Sequence, residues 1–126
     1  MTAKFLSDEY FSEFQSVLVQ DQKWADSTKS VKTSVAFGVT DTGQYYVLTV
    51  ENGTTMIQKA AQGVQAEFSF DGTYDAWSKV VRGEVDIQSA VLKGLLRFRG
   101  SITKILMYRD RFVRIAELMR DLPKEF

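Results

Sequence analysis

Three glycines, Gly83, Gly94 and Gly100, divide residues 83–100 into one short helix and one short strand, and they constrain the fold more than any other part of the chain. Glycine adopts the left-handed conformation that ends a helix, so Gly83 closes the element before it. Asp86 is placed to cap the next helix, its carboxylate accepting an amide that has no partner in the first turn. Ile87, Ala90, Val91 and Leu92 then supply about two turns with an apolar side, which Gly94 stops. From Leu95 to Arg99 the period changes: apolar Leu96 and Phe98 alternate with basic Arg97 and Arg99, as in a strand with one buried face. Gly100 ends that strand, and Ser101 is placed to cap a long final helix. These are requirements on the backbone. None of them asks for chemistry.

The rest of the chain is read with the same rules. Ser7 heads an acidic first turn, and Tyr10, Phe11, Phe14, Val17 and Leu18 recur at helical spacing, predicting a helix to about residue 21. Trp24 is expected to pack at its end, before a polar connection over residues 26–30. Val31, Thr33, Val35, Phe37 and Val39 form one side of a strand; Asp41-Thr42-Gly43 and Asn52-Gly53 are turn sequences, bounding a second strand over residues 45–51 and opening a third over 54–59. Residues 60–65 break the meander and carry the chain across the sheet to a fourth strand with Ala66, Phe68 and Phe70 on one side. A helix begins near Thr73, with Tyr74, Trp77, Val80 and Val81 along one face. The last helix carries Ile102, Ile105, Leu106, Phe112, Val113, Ala116 and Met119 on one face, and Met107, Tyr108, Ile115, Leu118 and Leu122 widen that stripe. The order α-β-β-β-crossover-β-α-α-β-α predicts an α+β fold with helices covering one face of the sheet.

At 126 residues, with 44% hydrophobic and 25% charged side chains, the chain is expected to form a single domain over 1–126 with a core of its own. Cysteine and histidine are both absent, which excludes a disulfide framework, a thiol nucleophile, a Cys/His zinc site and an imidazole base. No phosphate-binding loop, dinucleotide fingerprint or calcium loop occurs. The expectation is therefore a protein without a catalytic centre, cofactor or metal. An N-terminus that turns acidic early and a C-terminus without a peroxisomal or prenylation address lead to a cytoplasmic expectation. The formal charge is +0, but residues 1–78 hold five basic and ten acidic groups and residues 79–126 hold eleven and six, so the halves carry −5 and +5. The basic half is suited either to solvation or to transient contact with anionic head groups.

The pattern Gly83-x-x-Asp86-x-x-x-Ala90-x-x-x-Gly94-x-Leu96-x-Phe98-x-Gly100, preceded by Phe70-Asp71-Gly72-Thr73-Tyr74-Asp75-Ala76-Trp77, resembles the sterol carrier protein type 2 family of lipid carriers. The similarity covers about residues 66–108, and the element order agrees over most of the chain. The resemblance implies a five-stranded mixed, mainly antiparallel sheet whose helices enclose an apolar cavity. It implies a fatty acid, fatty acyl thioester, sterol or isoprenoid-like molecule as the guest. On that implication the ligand-contacting residues are Phe37, Leu48, Phe68, Trp77, Leu92, Phe98, Met107, Phe112, Ile115 and Met119. The helical layer and the sheet, which also offers Met56 and Phe70, are then expected to present more apolar surface than they cover by touching. Periodicity alone leaves that open, since aromatic and methionine stripes describe a packed core equally well.

Two other classes of function compete. An accessory or dimerisation domain beside an enzyme with hydrophobic substrates would use the outer sheet residues Tyr45 and Val47, or the basic last helix, as a docking surface or homodimer contact. An enzyme would have to rest on Asp71 and Asp75, which helix capping and dipole roles explain better. Nucleic-acid binding is set aside, because Phe98 should point away from Arg97 and Arg99 and the net charge is zero.

Overall fold

Two turns that only particular residues can make set the frame of the sheet. In the computed structural model, which describes residues 3–126, Asn52 and Gly53 both have positive φ, at 49° and 87°. That is the twist a two-residue hairpin needs between strands of right-handed twist. It joins β3 (Gln44–Glu51) to β4 (Thr54–Ala60), while the turn at Gly43 joins β2 (Lys32–Val39) to β3. The crossover over residues 61–67 then places β5 (Phe68–Gly72) parallel to β2 on its other side, and β6 (Arg97–Arg99) pairs antiparallel with β5. The sheet order is β4-β3-β2-β5-β6. Register fixes its faces: Val35 lies opposite Leu48 and Phe68, and Phe37 opposite Tyr46 and Phe70, so these aromatics and aliphatics share one side. Tyr45, Val47 and Thr49 lie on the other.

Helices Asp8–Gln20, Gln22–Thr28, Tyr74–Val81 and Arg109–Asp121 pack on the inner side. Ser7 accepts from the Tyr10 amide and starts α1 (Asp8–Gln20), which buries Tyr10, Phe11, Phe14 and Leu18. Thr73 caps α3 (Tyr74–Val81), so the cap is neither Asp71 nor Asp75; Asp71 belongs to β5, and Asp75 pairs with Lys79 at 3.3 Å. Trp77 of α3 is buried and donates its indole N–H to the Gly38 carbonyl at 2.9 Å, bolting that helix to the central strand. Gly83, Asp86, Gly94 and Ser101 perform the local roles read for them: both glycines have positive φ, and Asp86 and Ser101 cap α4 (Ile87–Leu92) and α5 (Ile102–Met107).

The first helix ends at Gln20, close to the expected residue 21, but a further short helix follows it, and the long last helix is broken. Asp21 adopts an extended conformation and caps α2 (Gln22–Thr28) through the Trp24 amide, so the segment expected as a polar connection is partly helical. Asp21 is fixed in that role by Arg114, whose guanidinium donates to both carboxylate oxygens, at 2.9 and 2.5 Å. The last helix breaks at Tyr108 (φ −99°, ψ 14°) into α5 and α6 (Arg109–Asp121). There the Tyr108 ring meets Phe68 edge-on, 6.0 Å between centroids. A short parallel pair not anticipated from the sequence, β1 (Ala3–Lys4) with β7 (Lys124–Glu125), ties the two ends of the described chain together.

One buried polar contact links α1 to α6. The Tyr10 hydroxyl donates to the Met119 carbonyl at 3.1 Å, and burial pushes its ionisation far above the usual tyrosine range. Tyr10→Phe, measured by denaturant unfolding, is expected to lose about 1 kcal/mol, the net worth of one buried hydrogen bond. An unchanged midpoint would show that this contact does not hold the helices together.

Candidate functional site

The interior between the sheet and α2, α3 and α6 is where most of the residues expected to meet a guest come together. Phe37, Leu48, Phe68, Trp77, Phe112, Ile115 and Met119 are all buried there, and Phe98 is half-buried against Phe68 and Phe70. Two expected residues are elsewhere. Leu92 is 78% exposed, because α4 is short and turns Ala90 inward instead. Met107 is 68% exposed, because α5 ends at the Tyr108 break before it can turn that side chain onto the sheet. Met56, also expected inward, sits opposite Thr49 on the outer face.

The expectation of a surplus of apolar surface is corrected as well, since the layers consume most of it in direct contact. Phe112 stands edge-on to both Phe68 and Phe70, at 5.3 and 5.7 Å. Phe11 stacks on Tyr46 at 4.0 Å, and Phe37 meets Trp77 at 5.8 Å. What is left is a narrow cleft where α2 and the start of α6 cross β2 and β3, with about 10 Å³ of room for a water-sized sphere. Its walls are Trp24, Val31, Val35, Leu48, Val50, Tyr108, Phe112 and Ile115, with Thr28 and Thr33 the polar members. A far larger hollow, about 800 Å³, is an open trough at one end of the sheet. Its lining includes Lys32, Glu51, Asn52 and Glu67, so it offers charge where an alkyl chain needs none.

Among the described residues, Arg111 is the one charged side chain that lines the cleft. Its Nε donates to the Ser27 carbonyl at 2.8 Å, and its guanidinium lies 5.2 Å from the centroid of the Tyr108 ring. Among the same residues it forms no ion pair, unlike Arg114 one turn on. Arg111 and the walls Trp24, Val35, Val50 and Tyr108 are not among the ligand contacts expected from the sequence. Only the general basic character of the last helix pointed toward Arg111.

Every carboxylate with a displaced pKa here is displaced downward. Arg114 holds Asp21 low; Lys104, at 2.6 Å, and then the Thr33 hydroxyl hold Glu67 low; the Tyr46 hydroxyl lowers Asp8, and the Ser89 amide lowers Asp86. None of these is tuned as a general acid, which requires a raised value. Among the described residues no group of acidic side chains could hold a metal ion. The same shifts predict acid lability. A carboxyl that ionises more readily folded than unfolded contributes stability above its unfolded pKa, and that contribution is lost as pH falls through the folded one. For Asp21 and Glu67 the loss should set in below their ordinary values of 3.8 and 4.5. The thermal midpoint is therefore expected to fall as pH drops below those ordinary values, and Asp21→Asn with Glu67→Gln should flatten that dependence. An equally steep profile in the double variant would place the acid sensitivity elsewhere.

Comparison with known proteins agrees with this arrangement. The profile of the SCP-2 sterol transfer family matches residues 14–112, and the chain belongs to that family. A sequence search of curated proteins returns no match. Among solved structures, a crystal structure of sterol carrier protein 2 superposes with a TM-score of 0.83 at 17% identity, covering 95% of this chain and 100% of that one. A conserved hypothetical protein from Thermus thermophilus, described as possibly a sterol carrier protein, superposes at 0.80 with 16% identity, over 99% and 97% of the two chains. A sec-alkyl sulfatase carries the same fold in 17% of its length, matching 96% of this chain at a TM-score of 0.65 and 15% identity. At these identities the superpositions speak for the fold alone. No helix among the described residues is long and apolar enough to cross a membrane.

Proposed function

We propose that the protein is a non-catalytic lipid carrier that takes the tail of a fatty acid or a similar amphiphile between β2–β3 and α6. The observation that carries this reading is the cleft itself, whose walls are apolar except for two threonines and one guanidinium without a carboxylate partner among the described residues, in a chain of the SCP-2 sterol transfer family. Burying an acyl chain of about sixteen carbons contributes at most about 0.8 kcal/mol per methylene, which supports micromolar or tighter binding with little reading of shape. Pockets for such molecules span about 300–1,000 Å³, so the cleft has to widen to admit one. The deep end of α6 is pinned by Asp21–Arg114 and by Tyr10–Met119. The end at Tyr108 is held by the Arg111–Ser27 hydrogen bond and by ring contacts: the helix is broken there, and α5 buries nothing. Opening at that end brings the tail in against Phe112 and leaves the head group beside Arg111.

Displacement of a fluorescent fatty acid tests the reading. Saturating, competable binding is expected, and Arg111→Gln should weaken a free fatty acid about tenfold while leaving its methyl ester unchanged. The absence of binding across several lipid classes would defeat the carrier reading. Equal losses for acid and ester would remove Arg111 from the head-group site.

The sulfatase match favours a second reading, an accessory domain that shields or presents a hydrophobic substrate beside an enzyme. Light scattering separates the two. A monomer that carries lipid supports the carrier, and a stable oligomer without lipid supports the accessory domain.

A further inference from the structure

Helix α5 differs from every other helix in having no buried residue. It rests on half-buried Ile105 and on the Lys104–Glu67 ion pair at 2.6 Å. Its apolar side chains are turned outward: Ile102, Leu106 and Met107 are 65%, 66% and 68% exposed. Ile102 and Leu106 are one turn apart and form a ridge, with Met107 beside it. A contiguous exposed apolar patch of this kind serves no packing purpose and marks a contact surface.

Charge around the patch says what kind of contact. Residues 93–111 hold six basic groups, Lys93, Arg97, Arg99, Lys104, Arg109 and Arg111, against the single acidic Asp110, and are strongly positive. Glu67, through Lys104, is the one carboxylate that neutralises any of them among the described residues. Lys93, Arg97, Arg99 and Arg109 are exposed and form no ion pair there. Arg97 and Arg99 precede the helix on the edge strand, and Arg109 follows its last turn. Long basic side chains at both ends of a short apolar ridge suit a partner that is negative over an area and apolar just beneath.

From this we infer that α5 docks on an anionic lipid bilayer, with Ile102, Leu106 and Met107 entering the boundary between head groups and acyl chains and Arg97, Arg99 and Arg109 reaching head-group phosphates. Insertion of an apolar helix face and attraction of flanking cations are the two contributions that hold such helices at a membrane surface. The inference goes beyond the carrier reading. It states where the protein meets a membrane, and it places that contact on the segment next to the Tyr108 break.

Co-sedimentation with vesicles tests it, using phosphatidylcholine alone and phosphatidylcholine with about 30 mole per cent phosphatidylserine. Binding to the mixed vesicles is expected, weaker by about tenfold or more on phosphatidylcholine alone and falling as salt is raised. The variant I102Q/L106Q/M107Q should lose about tenfold of that binding with an unchanged thermal midpoint, since the replaced side chains are exposed. The variant R97Q/R99Q/R109Q should lose the preference for phosphatidylserine. Fatty-acid binding measured without vesicles should persist in both variants, so failure of the docking surface and failure of the carrier reading give different results. No binding to mixed vesicles, or binding undiminished in the apolar variant, overturns the inference. So does a self-association that the apolar variant abolishes while vesicle binding is absent, which would make the ridge a contact between protein chains.

Discussion

Trp77→Ala should lower the stability of the protein by about 3–5 kcal/mol, the range for deleting a fully buried large aromatic. Trp77 is 1% exposed and packs on Phe37, and its indole N–H serves the Gly38 carbonyl in the central strand. Alanine therefore leaves a void and an unsatisfied carbonyl together. Trp77→Phe separates the two effects: it keeps most of the volume and should cost about 1–2 kcal/mol. Because a domain is stable by only about 5–15 kcal/mol, the alanine variant is expected to melt many degrees lower or to fold incompletely. Denaturant unfolding followed by far-ultraviolet circular dichroism measures both. A loss below about 1 kcal/mol for Trp77→Ala would mean that α3 is not anchored through this residue.

Phe112→Ala is expected to lose a similar amount, about 3–5 kcal/mol, but with a different consequence. Phe112 is the side chain of α6 that closes the cleft against Phe68 and Phe70. Its removal enlarges the space proposed for the acyl tail, so the variant should be rescued by ligand. At a free fatty-acid concentration about one hundred times Kd, binding to the folded state alone restores about 2.7 kcal/mol. Trp77→Ala, whose void lies under α3 and away from the cleft walls, should gain no more from ligand than the unaltered protein. Thermal melts of both variants with and without fatty acid check this. If fatty acid fails to raise the melting temperature of Phe112→Ala, the tail does not lie against this side chain.

What could be read from the sequence was mostly local. Gly83, Asp86, Gly94, Ser101 and the Asn52-Gly53 turn act through their own backbone or that of near neighbours, and each does so in the structure. The faces of the sheet followed from period-two alternation except in β4, where Met56 faces outward, and its five-stranded mixed character followed from the resemblance. The features that escaped depend on distant partners. Helix α2, in place of a purely polar connection, starts from Asp21, which Arg114, far along the chain, holds in the capping position. Strands β1 and β7 are too short to leave a periodic signal and exist because they meet each other.

The site divides the same way. Phe37, Leu48, Phe68, Trp77, Phe112, Ile115 and Met119 are buried as expected, because burial of a strong stripe is predictable. Leu92 and Met107 were misplaced because in short helices the inward direction is set by neighbours, not by period. The idea of surplus apolar surface failed for a related reason: a list of large residues does not say which pairs will touch. Arg111 is not distinguished from the other basic residues of the last helix, since a guanidinium at a cleft and one in solvent look alike in a sequence.

Backbone amide NMR during titration with a fatty acid of about sixteen carbons is the most direct measurement of whether the interior accepts a tail. Saturable shifts should centre on Trp24, Leu48, Phe112 and Ile115 and extend to Tyr108 and α5 as that end opens. Shifts confined to the outer sheet face around Val47 and Thr49, or no saturable shift with any lipid class, would contradict it.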